Sequence, residues 1–225
     1  MLDNIKYRMF PQKKMSKETE GYLRQIDIDK LEPLMIRREL SEKDIIKLAD
    51  SICKSGVLFP IPVFTDGKTY KYISGSRRIA ACMLLGRKNI ICHVYTSSET
   101  RDKLLIASIM HEKTPNPFDI YSLICYCQDK HMLTYAEIAQ KLGITPSRVN
   151  ELVKLEKFSF EERRIINRLN LTEDAIIELA KLNDNETRNA VIMRLYEENT
   201  SKNGKIHKIV RQIRTERIAE RSNCA

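Results

Sequence analysis

Residues 73–86 read ISGSRRIAACMLLG, with two adjacent arginines on a Gly/Ser turn where a strand-like run gives way to helical periodicity. A strand-turn-helix of this kind aims the free N–H groups of residues 75–78 outward at the positive end of a helix, which suits an anion. Gly75 permits close backbone approach, Ser76 can cap the helix or donate, and the forks of Arg77 and Arg78 match phosphate oxygens. The GxxxxGK[ST] spacing of a P-loop is missing. The stretch is either a different phosphate cradle or a surface turn with two solvated arginines.

A second constellation is more specific. YAEIAQKLGITPSRVNELVK (135–154) fits the twenty-residue helix-turn-helix pattern. Ala139 is small where the second helix must approach the first, and Gly143 stands where the turn demands positive φ. Ile138, Leu142, Ile144, Val149 and Leu152 fill the five positions that knit the two helices together. Thr134 and Thr145 can cap the two helices, with Pro146 at the favoured first position. In a major groove, Thr145, Ser147, Arg148, Asn150 and Glu151 would face the DNA from the second helix. Arg148 suits guanine, Asn150 suits adenine or phosphate, and Lys154 suits backbone phosphate. With Thr134 these form the candidate DNA-binding set. An ordinary helical hairpin with a glycine turn is the competing reading.

The elements that must position these groups are legible from periodicity and punctuation. Alternating apolar residues in IDIDKLEPL (26–34) predict a short strand ending at Pro33, and SEKDIIKLADSICKSG (41–56) predicts a helix capped by Ser41 and stopped by Gly56. PIPVFT (60–65) and KTYKYI (68–73) flank an Asp66-Gly67 turn and predict a hairpin, and KNIICHVYT (88–96) predicts a buried strand. Beyond residue 100 the pattern is helical throughout, with segments near 99–112, 117–130, 134–142, 146–155, 159–168, 172–181, 185–197 and 204–220. The expected organisation is a basic flexible arm (1–24), an α+β domain (25–98), an all-α helix-turn-helix domain (99–200) and a basic C-terminal helix or tail (201–225). In that last helix Ile206, Ile209, Ile213 and Ile218 would share a face, as a solvated helix, a self-association surface or a non-specific DNA contact.

Composition narrows the function class. A formal charge of +9 favours a polyanionic partner, nucleic acid or an anionic membrane surface. No apolar run approaches the roughly 18 residues of a spanning helix and no signal-peptide pattern opens the chain, so a cytoplasmic location is the default. None of the six cysteines forms a CxxC and the four histidines are scattered, so no structural metal is expected. No carboxylate cluster suited to a nuclease metal site is visible.

The order of the pieces resembles the ParB/Spo0J/nucleoid-occlusion family of DNA-partition proteins. In SICKSGVLFPIPVF, Ser51, Ile52, Gly56, Val57, Pro60, Ile61 and Val63 match the family's first segment; Gly75, Arg77, Arg78, Ala81 and Gly86 match its arginine box. NPFDIY (116–121) resembles the element leading into the helix before the helix-turn-helix. The resemblance implies a ParB/sulfiredoxin-like α+β N-terminal domain followed by the all-α domain. It also implies a homodimer on a palindromic double-stranded site, associated with the nucleoid or a plasmid and acting as a CTP-gated clamp. CTP, with Mg2+, would be held by Gly56, Val57, Pro60, Gly75, Ser76, Arg77 and Arg78. Residues 1–24 would meet a Walker-type partition ATPase or, in the nucleoid-occlusion branch, a membrane surface. Ser76 replaces the family's glutamate, SIMHEKTPNP lacks the Asn and Arg of its triphosphate element, and only Arg37 survives of an early Gln-Pro-Arg. At most weak CTP hydrolysis follows. Gly75-Ser76-Arg77-Arg78 lacks the thiol and histidine of sulfiredoxin catalysis. A helix-turn-helix transcription regulator that has lost nucleotide switching is the alternative.

Overall fold

In the computed structural model, which describes residues 21–35, 40–198, 206, 208–213 and 215, alternation of apolar residues builds a five-stranded mixed sheet in the first of two units. Its strands are β1 (Tyr22–Asp27), β2 (Leu31–Pro33), β3 (Ile61–Thr65), β4 (Tyr70–Tyr72) and β5 (Asn89–Tyr95), in the order β1-β5-β3-β4-β2. β1 runs antiparallel to β5, and β3 parallel to β5 and antiparallel to β4. One face carries Ile26, Ile61, Val63, Ile90, Cys92 and Val94 against Ala49 and Ile52 of α1 (Glu42–Ser55) and Ile79, Ala81 and Cys82 of α2 (Ser76–Leu84). Period-2 strands and period-3.6 helices thus bury one continuous core, each aliphatic side chain contributing about 1.5–3 kcal/mol.

The single strand expected over 26–34 is two strands at opposite edges of the sheet. A 3-10 turn, Ile28–Lys30, separates them. Ile28 is buried and its N–H donates to the Lys88 carbonyl at 2.9 Å, so the apolar alternation continues through a turn that breaks the ladder. β1 begins at Tyr22, inside the stretch expected to be an arm, while residues 1–20 and Arg37 lie outside the described residues. The hairpin forms as predicted around Asp66, whose Oδ1 accepts from the N–H groups of Lys68 and Thr69 at 2.9 and 3.0 Å. Ser41 precedes α1 but caps it through its carbonyl, not its hydroxyl.

The second unit begins at Ile109, within α3 (Ser98–Met110), so the division falls later than the boundary expected at 98/99. Its helices are α4 (Pro117–His131), α5 (Tyr135–Leu142), α6 (Pro146–Val153), α7 (Phe160–Leu169), α8 (Glu173–Ala180) and α9 (Asn185–Glu197). Each starts at a side-chain cap: Asn116, Thr134, Thr145, Ser159, Thr172 and Asp184. Such caps satisfy N–H groups that a helix cannot pair internally. Residues 206, 208–213 and 215 are helical, with Ile206, Ile209 and Ile213 buried, whereas Ile218 lies outside the described residues. A wholly solvated tail helix is therefore not what the chain forms there. Among the described residues no helix is long and apolar enough to cross a membrane.

An ion pair sits inside this unit. Arg188 of α9, 2% exposed, donates from Nε to Glu162 Oε1 of α7 at 3.2 Å and from Nη2 to the Lys157 carbonyl at 2.8 Å. Glu162 also accepts from the Ser159 N–H at 2.7 Å, closing a capping box on α7. Removing one partner of a buried pair strands the other charge, at a cost of about 3–5 kcal/mol. Arg188→Ala is expected to lower the helical unit's stability by that amount in urea unfolding followed by circular dichroism. Arg194→Ala, at the partly exposed Arg194–Glu198 pair, should shift it by less than about 1 kcal/mol; equal shifts would refute the structural role of the buried pair.

Candidate nucleotide cradle and helix-turn-helix

In the N-terminal unit, two segments that are distant in sequence meet. α1 stops at Gly56, whose φ of 71° is left-handed and whose N–H donates to the Ile52 carbonyl at 2.9 Å. The chain then runs through Val57, half-buried on the core, to Pro60 and into β3. The second segment is the turn at Gly75, with φ of 104°. A Cβ at Gly75 would stand 2.7 Å from Ile61 Cδ1 and 3.1 Å from Arg78 Nη2, so both conformation and space demand glycine. Arg78 joins the segments: its Nη1 donates to the Phe59 carbonyl at 2.6 Å and the Pro60 carbonyl at 3.2 Å. The structure thus brings Phe59 and Pro60 of the first segment to Arg78, and Ile61 beside Gly75.

Their roles divide differently from the sequence reading. Ser76 is the first helical residue; the cap position belongs to Gly75, which has no side chain, so no side chain caps the first turn of α2. Its N–H groups keep the anion-friendly character of a helix start. Arg77 is exposed, whereas Arg78 is half-buried and turned to protein carbonyls. Burial lowers the Arg78 pKa from its ordinary value, but a guanidinium stays charged. Arg77 is thus the outward-facing fork, while Arg78 commits its Nη1 to protein carbonyls. Beside it, Leu58 and Phe59 are each 74% exposed. Arg87 Nη2 donates to the Ile52 carbonyl at 3.1 Å and holds the end of α1 against α2.

In the helical unit, the helix-turn-helix has the expected internal geometry. Thr134 and Glu137 form a capping box at α5, in which the Thr134 hydroxyl accepts from the Glu137 N–H and donates to its carboxylate at 2.7 Å. Gly143 is left-handed at φ 69°, and Ile138, Ala139, Leu142, Val149 and Leu152 are buried while Ile144 is half-buried. Thr145 caps α6 by accepting from the Arg148 N–H at 3.2 Å. Ser147, Asn150 and Lys154 are exposed and Glu151 is half-exposed. Arg148 is engaged: Nε and Nη2 donate to the two carboxylate oxygens of Glu173 at 2.9 and 2.8 Å. Glu173 opens α8 and was not singled out by sequence reading, because nothing local marks a partner 25 residues away. The same holds for Arg163, which donates to the Phe158 and Leu155 carbonyls at 3.0 and 3.3 Å. Asn116 of the NPFDIY element caps α4 and donates to Asn167 Oδ1 at 2.9 Å.

The first unit is thus an α+β domain whose mixed sheet carries the glycine turn, and the second is all-α with a helix-turn-helix. Residues 12–110 match the family described as the ParB N-terminal domain. Over those residues the chain carries a ParB N-terminal domain. It is 25% identical over 145 residues to the probable chromosome-partitioning protein ParB of Campylobacter jejuni, covering 63% of this chain and 52% of that one. To the nucleoid occlusion protein of a Geobacillus species it is 29% identical over 178 residues, covering 76% and 63%. The chain spans about half the length of the curated relatives it matches. Among solved structures it is similar to C-terminally truncated Caulobacter crescentus ParB in two complexes. With CTP-gamma-S the identity is 24% and the TM-score 0.36, covering 80% of this chain and 99% of that one. With the centromeric parS site they are 22% and 0.41, covering 84% and 97%. These likenesses place no ligand on the present chain.

Arg78→Ala is expected to speed amide hydrogen exchange across residues 57–60 and to cost about 1–2 kcal/mol, because two carbonyls lose a charged donor. Arg77→Ala should leave ligand-free exchange there unchanged. Equal exchange in both variants would remove Arg78 from its bridging role.

Proposed function

We propose that this chain binds double-stranded DNA sequence-specifically through α6, as the DNA-binding part of a plasmid or chromosome partition system. The helix-turn-helix carries the reading: a left-handed glycine, buried knitting residues and an exposed N-terminal half of α6 are what entry into a major groove requires. Ser147, Arg148 and Asn150 would meet base edges, Thr134, Thr145 and Lys154 phosphates, and Glu151 the rim of the contact. A homodimer would present two such helices to a palindromic site. The C. jejuni and Geobacillus relatives, named for partition and nucleoid occlusion, support the same role.

The cradle is the second part of the reading. CTP would place its phosphates at the start of α2 beneath Arg77, with its base beside the Gly56–Pro60 segment that Arg78 holds. Mg2+ would accompany the triphosphate, and the nucleotide would gate a clamp. Arg78 bonded to protein carbonyls, and the missing Asn and Arg before NPFDIY, favour a second reading in which the domain keeps the fold without nucleotide switching. In the clamp reading, residues 1–24 would meet a Walker-type partition ATPase in preference to a membrane surface.

Selection from fragmented genomic DNA is expected to recover a discrete palindromic motif. The logarithm of its affinity should fall with the logarithm of salt, at a slope of about −0.9 per phosphate contacted. Recovery of no sequence preference would refute the helix-turn-helix assignment. Calorimetry with CTP, ATP and GTP, with and without the recovered duplex, decides the cradle. CTP heat that Arg77→Ala abolishes supports it; silence from all three nucleotides establishes the regulator-like reading.

A further inference from the structure

Arg148 stands at the third position of α6, and its fork meets the first residue of α8. The two bonds to Glu173, 2.9 Å from Nε and 2.8 Å from Nη2, form a side-on pair that uses Nε–H and one N–H of Nη2. A guanidinium has five N–H donors in a fixed plane, so those remaining are both of Nη1 and one of Nη2. Of these, one N–H of each Nη lies along the end edge of the fork. That edge is the one that can meet guanine O6 and N7 together.

Glu173 is itself anchored. It lies in the first turn of α8 behind the Thr172 cap, where the helix end favours a negative charge. The two side chains are 37% and 29% exposed, so the pair is partly withdrawn from water and its geometry is held better than at an open surface. A carboxylate there would be a poor neighbour for a phosphate-contacting arginine, because it cancels the charge such a contact needs. It is a good neighbour for a base-reading arginine, which needs direction more than charge.

We propose that Glu173 is a positioning residue for DNA readout: it orients the Arg148 fork so that the end edge addresses one guanine in each half-site. The inference rests on the helix-turn-helix reading above and adds a named determinant of its specificity. Arg148 would then contribute sequence information and little to the salt dependence, while Lys154 would contribute salt dependence and little information.

The deciding experiment is site selection from a randomised duplex library with the full chain, its Glu173→Ala, Glu173→Gln and Arg148→Ala variants, and the Glu173→Ala/Arg148→Ala double variant. The wild type is expected to select guanine at one position of each half-site. Arg148→Ala should lose that preference by about tenfold to a hundredfold while leaving the salt slope unchanged. Both Glu173 variants should lose preference at the same position, and the double variant should be no worse than Arg148→Ala. Binding to random duplex should rise in Glu173→Ala, because a negative charge leaves the interface. Glu173→Gln keeps the side-chain shape without the charge, so its unchanged thermal midpoint would separate lost guidance from lost folding. Wild-type base preference in both Glu173 variants would overturn the proposal while leaving the helix-turn-helix reading standing. So would a salt slope about one unit shallower in Arg148→Ala with its base preference intact. A wild type that selects no sequence would refute the underlying reading, and this proposal with it.

Discussion

Backbone carbonyls left without partners at chain reversals are the constraint on which both units depend. A helix or ladder pairs its own carbonyls, but the segments that join them do not, and a buried unpaired carbonyl costs about as much as a lost hydrogen bond. Here arginine supplies the missing donors. Arg78 serves Phe59 and Pro60, Arg163 serves Phe158, and Arg188 serves Lys157. A planar fork on a long stem suits these positions, because it reaches across a turn, meets two oxygens at once and stays charged while half-buried.

That use of arginine changes what the +9 charge means. Several cations that composition assigns to a polyanionic partner are turned inward, and Arg188 is paired with Glu162 besides. Among the described residues, exposed cations near the two candidate sites include Lys54 and Arg77 beside the cradle, and Lys141 and Lys154 on the helix-turn-helix.

The sequence made most of the architecture legible and little of its wiring. Helix starts could be read because Asn116, Thr134, Thr145, Ser159 and Thr172 cap by local chemistry, within three residues of the N–H groups they accept from. The helix-turn-helix could be read for the same reason, since small, glycine and apolar positions at fixed spacing are its geometry. What could not be read was long-range and aimed at anonymous partners. A carbonyl carries no residue identity, so nothing in SGSRR says that Arg78 will face Phe59 and Pro60 while Arg77 faces water. Nor does PSRVNE say that Arg148 will meet Glu173. The split strand at 26–34 failed differently: Ile28 keeps the alternation going because the turn that contains it is buried.

β2, at one edge of the sheet, is only three residues long and ends in Pro33, a residue with no N–H to offer a further strand. The opposite edge, β1, is six residues of unbroken strand. Among the described residues the sheet is thus blunted at one edge and unbroken at the other, a polarity that guards against open-ended fibre growth, since edge-to-edge addition needs two compatible edges. A strand added from outside would have to lie along Tyr22–Asp27, beside the point where the N-terminal residues enter the fold.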